Sequence, residues 1–286
     1  MLSTIENDKV RLVIDTKGAT ILSCSIDNID VLQNCEIKKS FTKDECGGFP
    51  LVPIANRVKN NFYLLDDKKV ELLPTSSDNK EYLHGLGWIK NWQVKEQKSD
   101  SIVLYLESNG EIETHYNFSC EFEIKLAPLG ILFNLKVKHL DKDVSRLYGL
   151  GMHPYFAIDK GDELLVNALG FCRSHSDDYF LEIPSDSFDS RFDYRDFKKI
   201  GDIFCNHAYV SCNGALLKRH KYNKIIKLTS TCNNLMMYHS KGCNFIALEP
   251  QTHLVDGVNM QEGRGNMCLL NKYFDTLSMS MRIDLL

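Results

Sequence analysis

Residues 121–126 read Glu-Phe-Glu-Ile-Lys-Leu, with Phe122, Ile124 and Leu126 apolar and Glu121, Glu123 and Lys125 charged. Strict alternation fits a β-strand, whose successive side chains point to opposite faces, and not a helix, whose apolar residues recur every three to four positions. The pattern returns at both ends of the chain. Val10, Leu12 and Ile14 alternate with Lys9, Arg11 and Val13, and Leu277, Met279, Met281 and Ile283 alternate with Ser278, Ser280 and Arg282. Each stretch predicts a half-buried strand with one face on a core and the other toward water.

Turn signals separate such stretches at Lys17–Gly18, Asp27–Asn28, Asp66–Asp67, Asn109–Gly110 and Asn213–Gly214. The Asn-Gly pairs predict tight hairpins, because those turns need residues that accept positive φ. No long stretch carries a helical period; the polar segment Ser187–Lys199 reads as loop with a short helical turn. Many strands, frequent turns and little helix predict an all-β fold, an antiparallel sandwich or barrel. No composition shift marks a linker and no fixed-period repeat is visible, so residues 1–286 read as one domain.

Composition narrows the function classes. The 286 residues carry a formal charge of −4, with 43% hydrophobic and 25% charged residues, so there is no basic footprint for nucleic acid. No apolar run is long enough to span a membrane. The N-terminal MLSTIENDKV is charged where a signal peptide would be apolar. The ten cysteines are scattered without a CxxC pair, and with that N-terminus they predict reduced thiols and a cytoplasmic protein. Neither HExxH nor a paired Cys/His cluster offers a metal site, and Gly263-Arg264-Gly265 lacks the strand–turn–helix setting of a phosphate loop.

Three short segments carry chemistry: HGLGW at His84–Trp88, GMHPYF at Gly151–Phe156 and ALEPQT at Ala247–Thr252. Each sets one proton-carrying side chain, His84, His153 or Glu249, beside backbone stiffened by Gly or Pro. Pro154 and Pro250 bias His153 and Glu249 toward extended backbone, Glu249 at a strand leaving the core. Two imidazoles and a carboxylate suit proton transfer in both directions near neutral pH. By residue type alone, Glu249 also reads as an exposed strand-end glutamate and His153 as a core histidine.

With GGFPLVPIANR (Gly47–Arg57) added, these segments resemble the aldose 1-epimerase (galactose mutarotase) family, in the family's order. The resemblance implies a single-domain β-sandwich with a sugar bound in a cleft on one sheet. It implies interconversion of α and β anomers by ring opening and reclosure, with Glu249 as general base, His153 as general acid and no metal or cofactor. His84 would hydrogen-bond the sugar near the ring oxygen, Arg57 would donate to sugar hydroxyls, Asn56 would hold the loop, and Trp88 would follow the H-G motif, although Gly87 stands where some relatives carry Arg. The family's sugar-binding aspartate follows an F-D-x-R landmark, here Phe192–Arg195. Two alignments remain open: Asp202 keeps the carboxylate, whereas Asn206 better fits the spacing. Tyr155, Phe156, Trp88 and Tyr238 are available as faces for the C–H side of a sugar.

The implied partner is a small sugar, bound by a monomer or homodimer. A hexose 6-phosphate is the alternative substrate, with Lys59, Lys90 or Arg173 expected at the cleft mouth to meet the phosphate. A carbohydrate-binding or sensing protein without turnover is the alternative of another class, since one fold can host many functions.

Overall fold

The computed structural model describes residues 1–36, 43–76, 80–110, 115–174, 180, 184–260 and 266–286. Residues 263–265 lie outside that set. The described chain is nearly all β, as the alternation predicts; its helical elements are single 3₁₀ turns such as Lys43–Glu45 and Gly257–Asn259.

Two large antiparallel sheets dominate. The first has nine strands and is built on three long neighbours, Asn117–Ala127, Gly130–His139 and Thr276–Leu285. Phe122 faces Leu135, which faces Met279, so the stretches at 121–126 and 277–283 are joined through one intervening strand. Their burial alternates as expected. The second sheet has seven strands, ordered Gly170–Cys172, Cys205–Val210, Asn234–His239, Phe245–Gln251, Gly151–Met152 and Pro50–Leu51, with Tyr155–Ala157 also on Phe245–Gln251. Phe122, Phe133 and Ile283 from the first sheet share one core with Phe156, Met237 and Leu248 from the second. Each such side chain contributes roughly 1.5–3 kcal/mol by leaving water.

A four-stranded sheet at the N-terminus departs from the simple pattern. Val13 does not face water: it is 5% exposed and packs with Leu22 and Phe49 in a second apolar cluster. That strand is covered on both faces, which alternation alone does not reveal.

The turn signals divide. Asp27–Asn28 and Asp66–Asp67 make two-residue hairpin loops with both φ values positive, joining Ile26 to Ile29 and Leu65 to Lys68. Asn109–Gly110 leads into residues 111–114, which lie outside the described set. Asn213–Gly214 is no hairpin: it carries the chain from Cys205–Val210 in one sheet to Gly214–Arg219 in the other. A Cβ on Gly214 would sit 2.0 Å from the Leu228 carbonyl oxygen, so glycine serves close backbone approach there. Ser187–Lys199 contains turns and the short strand Lys198–Lys199, but no helix.

The second sheet positions the site through its two faces. On Phe245–Gln251, Ile246 and Leu248 enter the common core, whereas Phe245 and Ala247 join the separate cluster around Phe49 and Tyr155. Glu249 shares the parity of that second set and therefore its face. It lies inside the strand rather than at an exit, correcting the expectation of a strand leaving the core.

Candidate active site

His153 and Glu249 meet through sheet register. Tyr155 pairs with Ala247 and Gly151 with Gln251, so the ladder sets His153 directly opposite Glu249, with both side chains on one face. His153 Nε2 lies 3.1 Å from Glu249 Oε1, at 6% and 2% exposure. Leu248 and Thr252 donate their N–H groups to the Pro154 and Leu150 carbonyls. Pro250 falls between them with no N–H to give, so the ladder skips a rung beside the catalytic candidates. Gly47 and Gly48 bring a further segment close, with the His153 and Tyr155 N–H groups donating to the Phe49 and Gly47 carbonyls at 3.0 Å. A Cβ on Gly48 would lie 2.7 Å from the His153 carbonyl oxygen.

The second half is a lock between two loops. His84 N–H donates to the Asn56 carbonyl at 3.0 Å, and Asn56 N–H donates back to His84 Nδ1 at 3.1 Å. Both residues adopt positive φ, as does Gly85, where a Cβ would meet the Val52 carbonyl oxygen at 2.2 Å. Asn56 Oδ1 accepts from the Arg57 N–H at 3.0 Å, a bond within the loop. Because Nδ1 accepts, the neutral ring carries its proton on Nε2. Burial, aided by His153 and Arg57, holds the His84 pKa well below 6.5, so this ring is an uncharged donor. Gly87 is also packed tightly: a Cβ would lie 2.7 Å from Val52 Cγ1, leaving no room for the arginine of some relatives.

These halves enclose a cavity of about 600 Å³, within the usual range for small-molecule sites. It is lined by His153, Glu249, His84, Asn56, Arg57 and Trp88, six of the residues singled out in the sequence. Arg57 is ion-paired with Glu81. Trp88 Nε1 donates to the Leu83 and Gly85 carbonyls, which fixes the indole against the wall. Tyr155 stacks on the His153 ring at 4.5 Å, and Phe49 packs on it at 5.0 Å. Tyr155 and Tyr238 line the cavity, but Phe156 does not: it points the other way into the common core.

Asp202 is a correction. It is exposed, accepts the Gly242 N–H at 2.6 Å and is absent from the cavity wall. Asn206, paired with Tyr238 on the site face, lines the cavity. Of the two candidates, the fold brings Asn206 and not Asp202 to the cavity. Lys59, Lys90 and Arg173 are absent from the lining; Arg173 is bonded to Asp189 at 2.8 Å. Among the described residues, the cations that do line it are Lys43 and Arg57.

Two contributors escaped the sequence reading. Gln251 is 2% exposed and donates from Nε2 to Glu249 Oε2 at 3.0 Å, holding the oxygen that His153 does not touch. Its signal was available, since i+2 in a strand shares a face with i. Lys43 gave no local signal.

Burial pushes the His153 imidazole down from 6.5 to about 3. The Glu249 carboxylate favours the protonated ring and opposes burial, so the transferable proton belongs to the pair rather than to one residue. His153 Nδ1 has no hydrogen-bond partner among the described residues. The buried His253 packs against Gly149, where a Cβ would lie 1.9 Å from its Cδ2. Among the described residues no group of three or more His, Cys, Asp or Glu is placed to hold a metal, and no helix is long and apolar enough to cross a membrane. All ten cysteines are free thiols.

Known proteins resemble the chain in sequence and in fold. An Escherichia coli K12 protein described as uncharacterized, YphB, is 24% identical over 295 residues, covering 98% of each chain. A crystal structure of an Escherichia coli K12 protein superposes with a TM-score of 0.91 at 21% identity, covering 100% of this chain and 99% of that one. The GalM/aldose epimerase homologue from C. elegans gives 0.84 at 16% identity, covering 100% and 98%. The family model for aldose 1-epimerase matches residues 1–272, and the chain belongs to that family.

Proposed function

We propose that the chain is an aldose 1-epimerase interconverting the α and β anomers of a hexose, with Glu249 as general base and His153 as general acid. The carrying observation is the 3.1 Å approach of His153 Nε2 to Glu249 Oε1 on a cavity wall. The hydroxyl and ring oxygens of a cyclic hemiacetal share C1, so an acid and base serving them must stand side by side. Glu249 accepts the C1 hydroxyl proton as C1=O forms. The C1–O5 bond breaks with its electron pair going to O5, and His153 gives O5 a proton. Glu249 is then protonated and His153 neutral. Rotation about C1–C2 presents the other aldehyde face, and the reverse transfers close the ring. Electrons and protons balance within the sugar and the pair, so this step calls for no cofactor.

The remaining lining fits recognition of a small sugar. His84 offers one donor of fixed tautomer, Arg57 a guanidinium, and Asn56 and Asn206 neutral amides, while Trp88, Tyr155 and Tyr238 offer faces for C–H groups. The test is polarimetry on freshly dissolved α-D-glucose and α-D-galactose in dilute, weakly catalytic buffer. Wild type should hasten the approach to equilibrium, and Glu249→Gln should lower kcat by about 10²–10⁴-fold while sugar still binds by calorimetry. Binding with no acceleration of any aldose by wild type, uronates and hexose 6-phosphates included, would instead identify a carbohydrate-binding protein, and the epimerase reading would fall.

A further inference from the structure

Lys43 is a half-buried cation, and no carboxylate among the described residues of the cavity wall pairs with it. Its Nζ donates to the Thr20 hydroxyl and lies 5.3 Å from the centre of the Phe49 ring. Among the described side chains no carboxylate forms an ion pair with it. Asp15 acts on it only from a distance and is bonded to the N-terminal ammonium at 3.0 Å. Burial lowers its pKa, the mark of an ammonium short of solvation. Arg57, the other cation on the wall, is occupied by Glu81, and Glu249, the sole carboxylate in the described lining, is engaged by His153 and Gln251. The neutral Asn206 adds no repulsion toward an anion. A partly desolvated charge with no ionic partner carries some of the cost of burial, and a ligand that brings the opposite charge removes it.

We propose that the sugar taken by this site is a hexuronic acid, its C6 carboxylate seated on Lys43 while C1 faces His153 and Glu249. This rests on the anomer-exchange reading above. Phe49 lies between the two stations, packed on His153 on one side and beneath Lys43 on the other. C1 and C6 are likewise set apart by the body of one pyranose. A single ammonium with one neighbouring hydroxyl matches a monoanionic carboxylate. A phosphate dianion calls for several converging donors, as in arginine clusters or backbone nests.

The test compares kcat/KM for D-glucuronate, D-galacturonate, D-glucose, D-galactose and glucose 6-phosphate by anomer-exchange NMR. Wild type should favour a uronate over its neutral hexose by at least about tenfold. Lys43→Gln should collapse that ratio, with native melting confirming its fold. A wild-type ratio at or below one, a preference for the phosphate, or a ratio unchanged in Lys43→Gln would overturn the proposal. If wild type turns over no sugar, the anomer-exchange reading fails, and calorimetry then judges this proposal separately. Glucuronate binding that is tighter than glucose binding and loses its advantage in Lys43→Gln sustains the Lys43 site; equal binding sinks it.

Discussion

His153 and His207 are set in or beside strands of the same seven-stranded sheet and are buried alike, at 6% and 7% exposure, yet they do different things. Burial pushes both imidazoles down, His153 to about 3 and His207 to about 4. His207 faces the core, its ring centroid 4.2 Å from Phe192 and 5.2 Å from Phe171, and its Nδ1 accepts the Ser174 N–H at 3.1 Å. His153 faces the cavity and meets a carboxylate. Burial alone therefore makes an inert neutral ring. A partner pulling the other way, on the same sheet face, makes a station for a proton.

The largest expected effect separates the two directly. His153→Asn should lower kcat for anomer exchange by about 10²–10⁴-fold, whereas His207→Phe should leave kcat unchanged. What His207 governs is acid stability. Its folded pKa lies below the 6.5 of the unfolded chain, so its contribution is intact above pH 6.5 and is lost as pH falls toward about 4. That loss is on the order of 3 kcal/mol, from about 1.4 kcal/mol per pKa unit. Urea denaturation at pH 7 and pH 4.5 should show His207→Phe losing less stability on acidification than wild type. Equal kcat losses in the two variants would mean that pairing is not what distinguishes them.

A smaller effect sharpens the role of the pair. Gln251→Met removes the donor on Glu249 Oε2 while keeping volume, and should cut kcat about tenfold with little change in KM, the size expected for a hydrogen bond to a charged group. A variant affecting KM alone would make Gln251 a binding group. The smallest effect concerns recognition. Asn206→Ala should raise KM by about fivefold for one lost hydrogen bond, and Asp202→Ala should not move it. The reverse result would return the sugar-binding role to Asp202.

What could be read in advance follows from what is local. The alternation at 121–126 and 277–283 predicts strand and face without knowledge of the rest, and both stretches fold that way. Val13 and the Asn213–Gly214 link depend on which sheet packs where, and that is set by residues far away in the chain. In the site, His153 and Glu249 were legible because proline and glycine fix their backbone and because the family pattern surrounds them. Gln251 was legible from parity but went unread. Lys43 was not legible: it reaches the cavity by way of Thr20 and Phe49, and no spacing rule joins those three residues.

The ladder between Tyr155–Ala157 and Phe245–Gln251 also acts as a ruler. Sliding one strand by a single residue would turn Glu249 to the opposite face of the sheet, away from His153 and toward apolar neighbours. Mispaired chains would therefore be inert as well as unstable, and no partly active form with shifted strands should exist. Specific activity per folded molecule becomes a gauge of strand pairing. Across a denaturant titration, loss of catalysis and loss of the sheet signal should trace one curve.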